Sequence, residues 1–267
     1  MKEENKFLNT IIKLHPRTNA INNLKDIQNI PFFVYTISKT GTSTLSLSLQ
    51  KMMNNKDSYE HVVHCHTENC WKLIFKINFD FDLMSLIKHQ RKKPIIFQLS
   101  RDPVKRLISE FFHLNRKKRN IKYTDLIKYL NERKGRINYT YYQKKLDYNF
   151  NDLHYNYNYD DKCCIEEKDD YILFFMKMED FNSYLKPNLI KYLNKYGYNF
   201  NKFHIHNTNE QKNTKNKFKD VIYELDTKGV PKDICQAIFN SNKDEVNFFF
   251  MPDEIKKMEL MYDIKIN

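Results

Sequence analysis

Two short segments hold residue types whose order and spacing suit anion chemistry. The first is Ser38-Lys39-Thr40-Gly41-Thr42-Ser43-Thr44, set between the apolar run Pro31-Phe32-Phe33-Val34-Tyr35-Thr36-Ile37 and the leucine-rich stretch Leu45, Leu47, Leu49. A buried strand running into a helix leaves backbone N–H groups unpaired at the positive end of the helix dipole, which favours a bound phosphate. Gly41 would let the backbone come close to the anion. Thr42, Ser43 and Thr44 add hydroxyls, and Lys39 adds a full positive charge. The competing reading is an ordinary Ser/Thr-rich helix start.

The second segment is Ser100-Arg101-Asp102-Pro103-Val104-Lys105-Arg106-Leu107-Ile108-Ser109, which follows the apolar run Pro94–Leu99. Pro103 suits the first turn of a helix. Arg101 and Ser109 stand eight residues apart, so a charged fork and a hydroxyl could meet one ligand near that helix. A third cluster, His64-Cys65-His66 with Cys70, holds zinc-ligand residue types. Strand alternation puts His64 and His66 on one face and Cys65 on the other, and no second ligand pair has metal spacing. Structural histidines are the alternative there.

Four strands must carry these groups: residues 31–37, 61–66, 94–100 and 171–176. Three are near-continuous apolar runs, the pattern of strands buried on both faces. Helical spacing follows the first strand, spans Phe79–His89, follows the third strand through Val104, Leu107 and Phe111, and fills residues 121–134. Asp180 is placed as the N-cap of a helix after the fourth strand. Strands alternating with helices predict an α/β fold with a central, mostly parallel sheet covered on both faces. In such sheets ligands bind beyond the carboxyl ends of the strands, where both anion segments deliver their polar residues. A single domain over residues 1–267 is expected, with a Tyr/Asn-rich insertion at about 116–170. Within it, residues 139–162 read as a solvated loop or a lid facing a substrate.

Only four glycines occur in 267 residues: Gly41, Gly135, Gly197 and Gly229. Their separation excludes the dinucleotide fingerprint, the Walker A loop, the kinase glycine loop and the nucleophile elbow. The net charge of +12 admits a polyanionic partner, though heavy Asn, Lys, Ile, Tyr and Phe usage also fits AT-rich coding. With the interleaved aromatics it suggests a nucleic-acid binder without catalysis as a rival. Five cysteines with no C-x-x-C pair read as reduced thiols. Neither a signal peptide nor a stretch approaching 18 uncharged apolar residues is visible, so a cytoplasmic protein without a membrane span is expected. Trp71 could stack on a ligand or fill the core, and His204, His206, Lys212 and Lys215 form a late basic stretch.

The two anion segments, in this order and each after an apolar strand, resemble those of sulfotransferases that use 3′-phosphoadenosine-5′-phosphosulfate (PAPS). Residues 38–44 resemble the family's 5′-phosphosulfate loop, and residues 101–111 resemble its 3′-phosphate motif with the Arg and Ser at the family's separation. Residues 172–181 are similar to its late strand and acidic helix start. The resemblance implies a P-loop-like three-layer α/β domain. Thr40 and the amides of Gly41, Thr42, Ser43 and Thr44 would hold the 5′-phosphate. Lys39 would steady the leaving phosphate, and Arg101 and Ser109 would hold the 3′-phosphate. His66 would serve as the base, with Glu68 as its rival. The product would be adenosine 3′,5′-bisphosphate (PAP), and no metal is required. The acceptor hydroxyl is expected on a glycan, with a tyrosine or small phenol as the alternative. No stable nucleic-acid partner is then expected.

Overall fold

A computed structural model describes residues 29–53, 62–66, 83–88, 90–135, 139–181, 185–198 and 217–266. Glu68, Cys70, Trp71 and residues 204–216 lie outside these, as do the ends of the expected 79–89 helix. Six strands form one sheet: β1 (Phe32–Tyr35), β2 (Val62–Cys65), β3 (Ile95–Ser100), β4 (Tyr157–Asn158), β5 (Cys163–Glu167) and β6 (Ile172–Lys177), in the order β2-β1-β3-β6-β5-β4. β1 runs parallel to β2, pairing Phe32 with Val62 and Tyr35 with Cys65. It also runs parallel to β3, pairing Phe32 with Ile95 and Val34 with Phe97. β5 is antiparallel to β6. The protein is therefore α/β with a mostly parallel sheet, as the alternating pattern predicts.

The chain divides into two compact units. The first spans residues 1–37, 41–99 and 160–206. It contains most of the sheet with helices α1 (Thr42–Met52), α2 (Leu83–Lys88) and, later in the chain, α7 (Leu185–Lys195). Phe32, Val34, Phe97, Leu99, Phe174 and Met176 pack against Leu45 and Leu49 of α1 and Leu189 and Leu193 of α7. The alternate side chains Phe33, Ile96, Leu173 and Phe175 are also fully buried. This two-sided burial is why these strands read as unbroken apolar runs.

The second unit spans residues 38–40, 100–159 and 207–267. It is mainly helical: α3 (Pro103–Leu114), α4 (Tyr123–Arg133), α5 (Thr140–Lys145), α6 (Phe150–Leu153), α8 (Lys219–Lys228), α9 (Lys232–Ser241), α10 (Lys243–Phe249) and α11 (Pro252–Tyr262). Among the described residues, no helix is long and apolar enough to cross a membrane.

Two expectations are corrected. Residues 139–162 are not a solvated loop: Tyr139, Tyr142, Leu146, Tyr148, Phe150, Leu153 and Tyr157 are all buried. Phe150 stacks on Phe248 at 4.8 Å and meets Tyr139, Tyr148 and Phe249 at 5.4–5.7 Å. The buried Tyr148 phenol is held well above its ordinary pKa by desolvation, so it stays neutral. The strand at 172–177 is the sixth and not the fourth, because β4 and β5 arise within the Tyr/Asn-rich segment. Asp180 ends a 3₁₀ turn (Met178–Asp180), and its carboxylate pairs with the buried Lys177 ammonium at 3.2 Å. Residues 182–184, where the helix that it was expected to cap would begin, lie outside the described residues.

The aromatic cluster makes a direct prediction. Phe150→Ala should destabilise the protein by about 3–5 kcal/mol in denaturant unfolding, the usual cost of emptying a buried aromatic site. A loss below about 1 kcal/mol, the scale of an ordinary surface change, would return the segment to a surface role.

Candidate functional site

The parallel register sets the carboxyl ends of β1, β2 and β3 on one edge of the sheet. The chain leaves these ends at Thr36, His66 and Arg101, respectively. Thr36 is fully buried, and its hydroxyl bridges to β3, donating to the Leu99 carbonyl at 3.0 Å and accepting from the Leu99 N–H at 3.2 Å. This side chain continues the β1–β3 register two residues past its last pair, Val34 with Phe97.

The loop after β1 turns twice through left-handed backbone, at Lys39 (φ 67°) and at Gly41 (φ 86°). Gly41 is the N-cap of α1, and no side chain caps that helix. Leu45 N–H is the donor to the Gly41 carbonyl at 3.0 Å, so the earlier first-turn N–H groups have no partner within the helix. A Cβ at Gly41 would meet Met178 Cγ at 3.1 Å. The positive φ favours glycine, and the Met178 side chain would have to give by a few tenths of an ångström to admit a Cβ, a structural preference separate from room for an anion. A lysine in left-handed geometry costs about 1–2 kcal/mol, and such strain concentrates at functional loops. Thr40 and Thr42 are buried, Thr44 is half-buried and Ser43 is exposed.

In the first unit, His66 is half-buried, and its Nδ1 lies 2.8 Å from the Thr36 carbonyl. A carbonyl can only accept, so the neutral ring carries its proton on Nδ1 and its lone pair on Nε2. The His64 ring stands edge-on to it at 4.8 Å, as the shared strand face predicts. Among the described residues, no group of three or more His, Cys, Asp or Glu side chains could hold a metal ion. Cys163, Cys164 and Cys235 are free, and burial pushes their thiols up to about 12, so they carry no thiolate at neutral pH.

In the second unit, Arg101 Nη1 donates to the Lys39 carbonyl at 3.2 Å, which ties two residues of the separate sequence segments together. Arg101 sits on a turn held from several sides. Asp102 is the N-cap of α3, with Oδ1 accepting from Val104 N–H at 2.9 Å and Lys105 N–H at 3.1 Å. Its Oδ2 accepts from the Tyr262 hydroxyl at 2.7 Å. Just before Arg101, the buried Ser100 hydroxyl donates to the buried Glu245 carboxylate at 2.6 Å. Ser109 lies half-buried in the second turn of α3.

Asp102, Tyr262 and Glu245 escaped the sequence reading. An Asp-Pro pair at a helix start is a cap signal in its own right and could have identified Asp102. Tyr262 and Glu245 lie 160 and 145 residues from their partners, and no local pattern announces them. No protein-family model, curated protein or solved structure matches this chain.

Proposed function

We propose that the protein is a PAPS-dependent sulfotransferase with a P-loop-like, three-layer α/β architecture, acting in a reducing, cytosol-like compartment. The observation that carries this reading is the joining of the two anion segments by the Arg101–Lys39 hydrogen bond, with each segment beginning where a buried parallel strand ends. The left-handed loop and the start of α1, which no side chain caps, support it further, because both favour backbone approach to a phosphate.

In the proposed reaction, an acceptor hydroxyl, foremost on a glycan, attacks the sulfur atom. The bond from sulfur to the 5′-phosphate oxygen breaks, and PAP leaves. Gly41–Thr44 and Thr40 hold the 5′-phosphate, Arg101 and Ser109 hold the 3′-phosphate, and Lys39 offsets the charge growing on the leaving oxygen. His66 takes the acceptor proton on Nε2. Tyrosine or a small phenol is the alternative acceptor.

PAP at about 100 times its Kd should add about 2.7 kcal/mol of stability. That is a rise in melting temperature of about 5–10 °C for a chain of this size. NAD at equal concentration should do little. Arg101→Ala should weaken PAP about 10- to 100-fold, the loss expected for one charge-assisted contact. Equal PAP stabilisation of wild type and Arg101→Ala would count against the assignment.

A further inference from the structure

The loop between α3 and α4 gathers cations that the proposed reaction does not use. Arg116, Lys117, Lys118, Arg119 and Lys122 are all exposed. Among the described residues, none of Arg116–Arg119 forms an ion pair, whereas Lys228, Lys232 and Lys257 elsewhere in this unit each sit 2.6–3.7 Å from a carboxylate. The loop is built as well as charged. Asn115 Nδ2 donates to the Phe111 carbonyl at 2.8 Å and closes α3. Arg116 N–H is the donor to His113 O at 3.3 Å, and Lys118 N–H is the donor to Asn115 O at 2.9 Å. Asn120 turns through φ 59°, and the Asp125 carboxylate accepts from Lys122 N–H at 2.9 Å at the start of α4. Lys217 reaches the same loop, its ammonium donating to the Arg116 carbonyl.

A helix C-terminus favours a nearby cation, which accounts for Arg116 but not for four in succession. Ordering like charges side by side is unfavourable unless an anion faces them. Preorganised backbone lowers the entropy lost when such a partner binds.

We propose that this loop, with Lys217, is a docking surface for a linear anionic polysaccharide carrying sulfate or carboxylate groups. Guanidinium forks and ammonium groups suit those anions. Single-stranded nucleic acid fits less well, because its affinity rests heavily on exposed aromatic stacking faces. The rings behind the loop, Phe112 and Phe218, are buried against each other at 4.9 Å. The Tyr123 ring is covered by the Lys228 ammonium at 5.4 Å, and its hydroxyl donates to the Gly229 carbonyl. A membrane surface would need a broad apolar face, and Leu114 is the exposed large hydrophobic residue beside the loop. The loop stands at the opposite end of α3 from Asp102, about 17 Å away along the helix axis, so it is separate from the Arg101 turn. The proposal concerns this unit alone and stands apart from the sulfotransferase reading.

The test uses the full chain and a fluorescent heparin dodecasaccharide titrated over a range of NaCl concentrations. Poly(U) of equal charge and phosphatidylserine vesicles serve as competitors. The loop variant R116Q/K117Q/K118Q/R119Q is compared with K232Q/K243Q/K256Q/K257Q, which removes the same charge elsewhere. The loop variant should bind the dodecasaccharide at least tenfold more weakly, with the log K against log salt slope shallower by about 3, in line with counterion release from the four lost cations. The control should stay within twofold of wild type, and both variants should keep the wild-type melting temperature. Equal weakening in both variants would overturn the proposal. So would no heparin binding, tighter binding of poly(U), or binding of the vesicles alone.

Discussion

His66→Ala is expected to lower sulfuryl-transfer turnover about 100-fold or more, the usual contribution of a positioned general base. The reason lies in one hydrogen bond. With Nδ1–H donated to the Thr36 carbonyl at 2.8 Å, the neutral ring points its basic character to Nε2. Thr36 is itself fixed by its two bonds to Leu99, so the carbonyl that orients the ring belongs to the sheet core. PAP affinity should persist in His66→Ala, because the ring is not assigned to the phosphates. Added imidazole should partly restore His66→Ala. Steady-state rates for wild type, His66→Ala and Glu68→Gln separate the candidates. Near-normal rates in His66→Ala with loss in Glu68→Gln would move the base to Glu68.

Lys39→Ala should reduce turnover by about 100- to 1,000-fold, the scale seen when a group that stabilises developing negative charge is removed. Its effect on PAP affinity should be much smaller, because its assigned role grows with charge on the leaving oxygen. Relief of the left-handed strain does not follow from this change, since alanine meets the same backbone penalty at φ 67°. Lys39→Arg should rescue only part of the loss, as a planar fork is not a compact ammonium. Single-turnover rates alongside PAP titrations read the two effects separately. Turnover within threefold of wild type would remove Lys39 from the mechanism.

The parallel core was legible because its strands are apolar on both faces. Phe32–Tyr35 and Ile95–Ser100 bury every residue, and such runs are read without knowing their neighbours. β5 was not legible. Its Cys-Cys-Ile-Glu-Glu run ends exposed and follows a Tyr/Asn-rich stretch, so it carries neither a long apolar block nor clean alternation. Residues 139–162 misled for a related reason. Asn, Lys and Asp set the average polarity, while the tyrosines at 139, 142, 148 and 157 turn inward with Phe150 and Leu153. Tyrosine has an apolar body with a polar tip, so its placement depends on partners such as Phe248 and Phe249, about 100 residues later. The two anion segments were visible as local patterns. Their hydrogen bond through Lys39 O, and the support given to Arg101 by Tyr262 and Glu245, are products of the fold.

The proposed sulfuryl transfer requires recognition of a nucleotide bearing phosphates at both the 3′ and 5′ positions. Isothermal titration of the purified full chain with PAP, and in parallel with adenosine 5′-monophosphate, tests it most directly. PAP should form a one-to-one complex, and binding should weaken at least tenfold when the 3′-phosphate is missing, because the Arg101 contact is then lost. No heat of binding with PAP at millimolar concentration, or equal affinity for the two nucleotides, would contradict it.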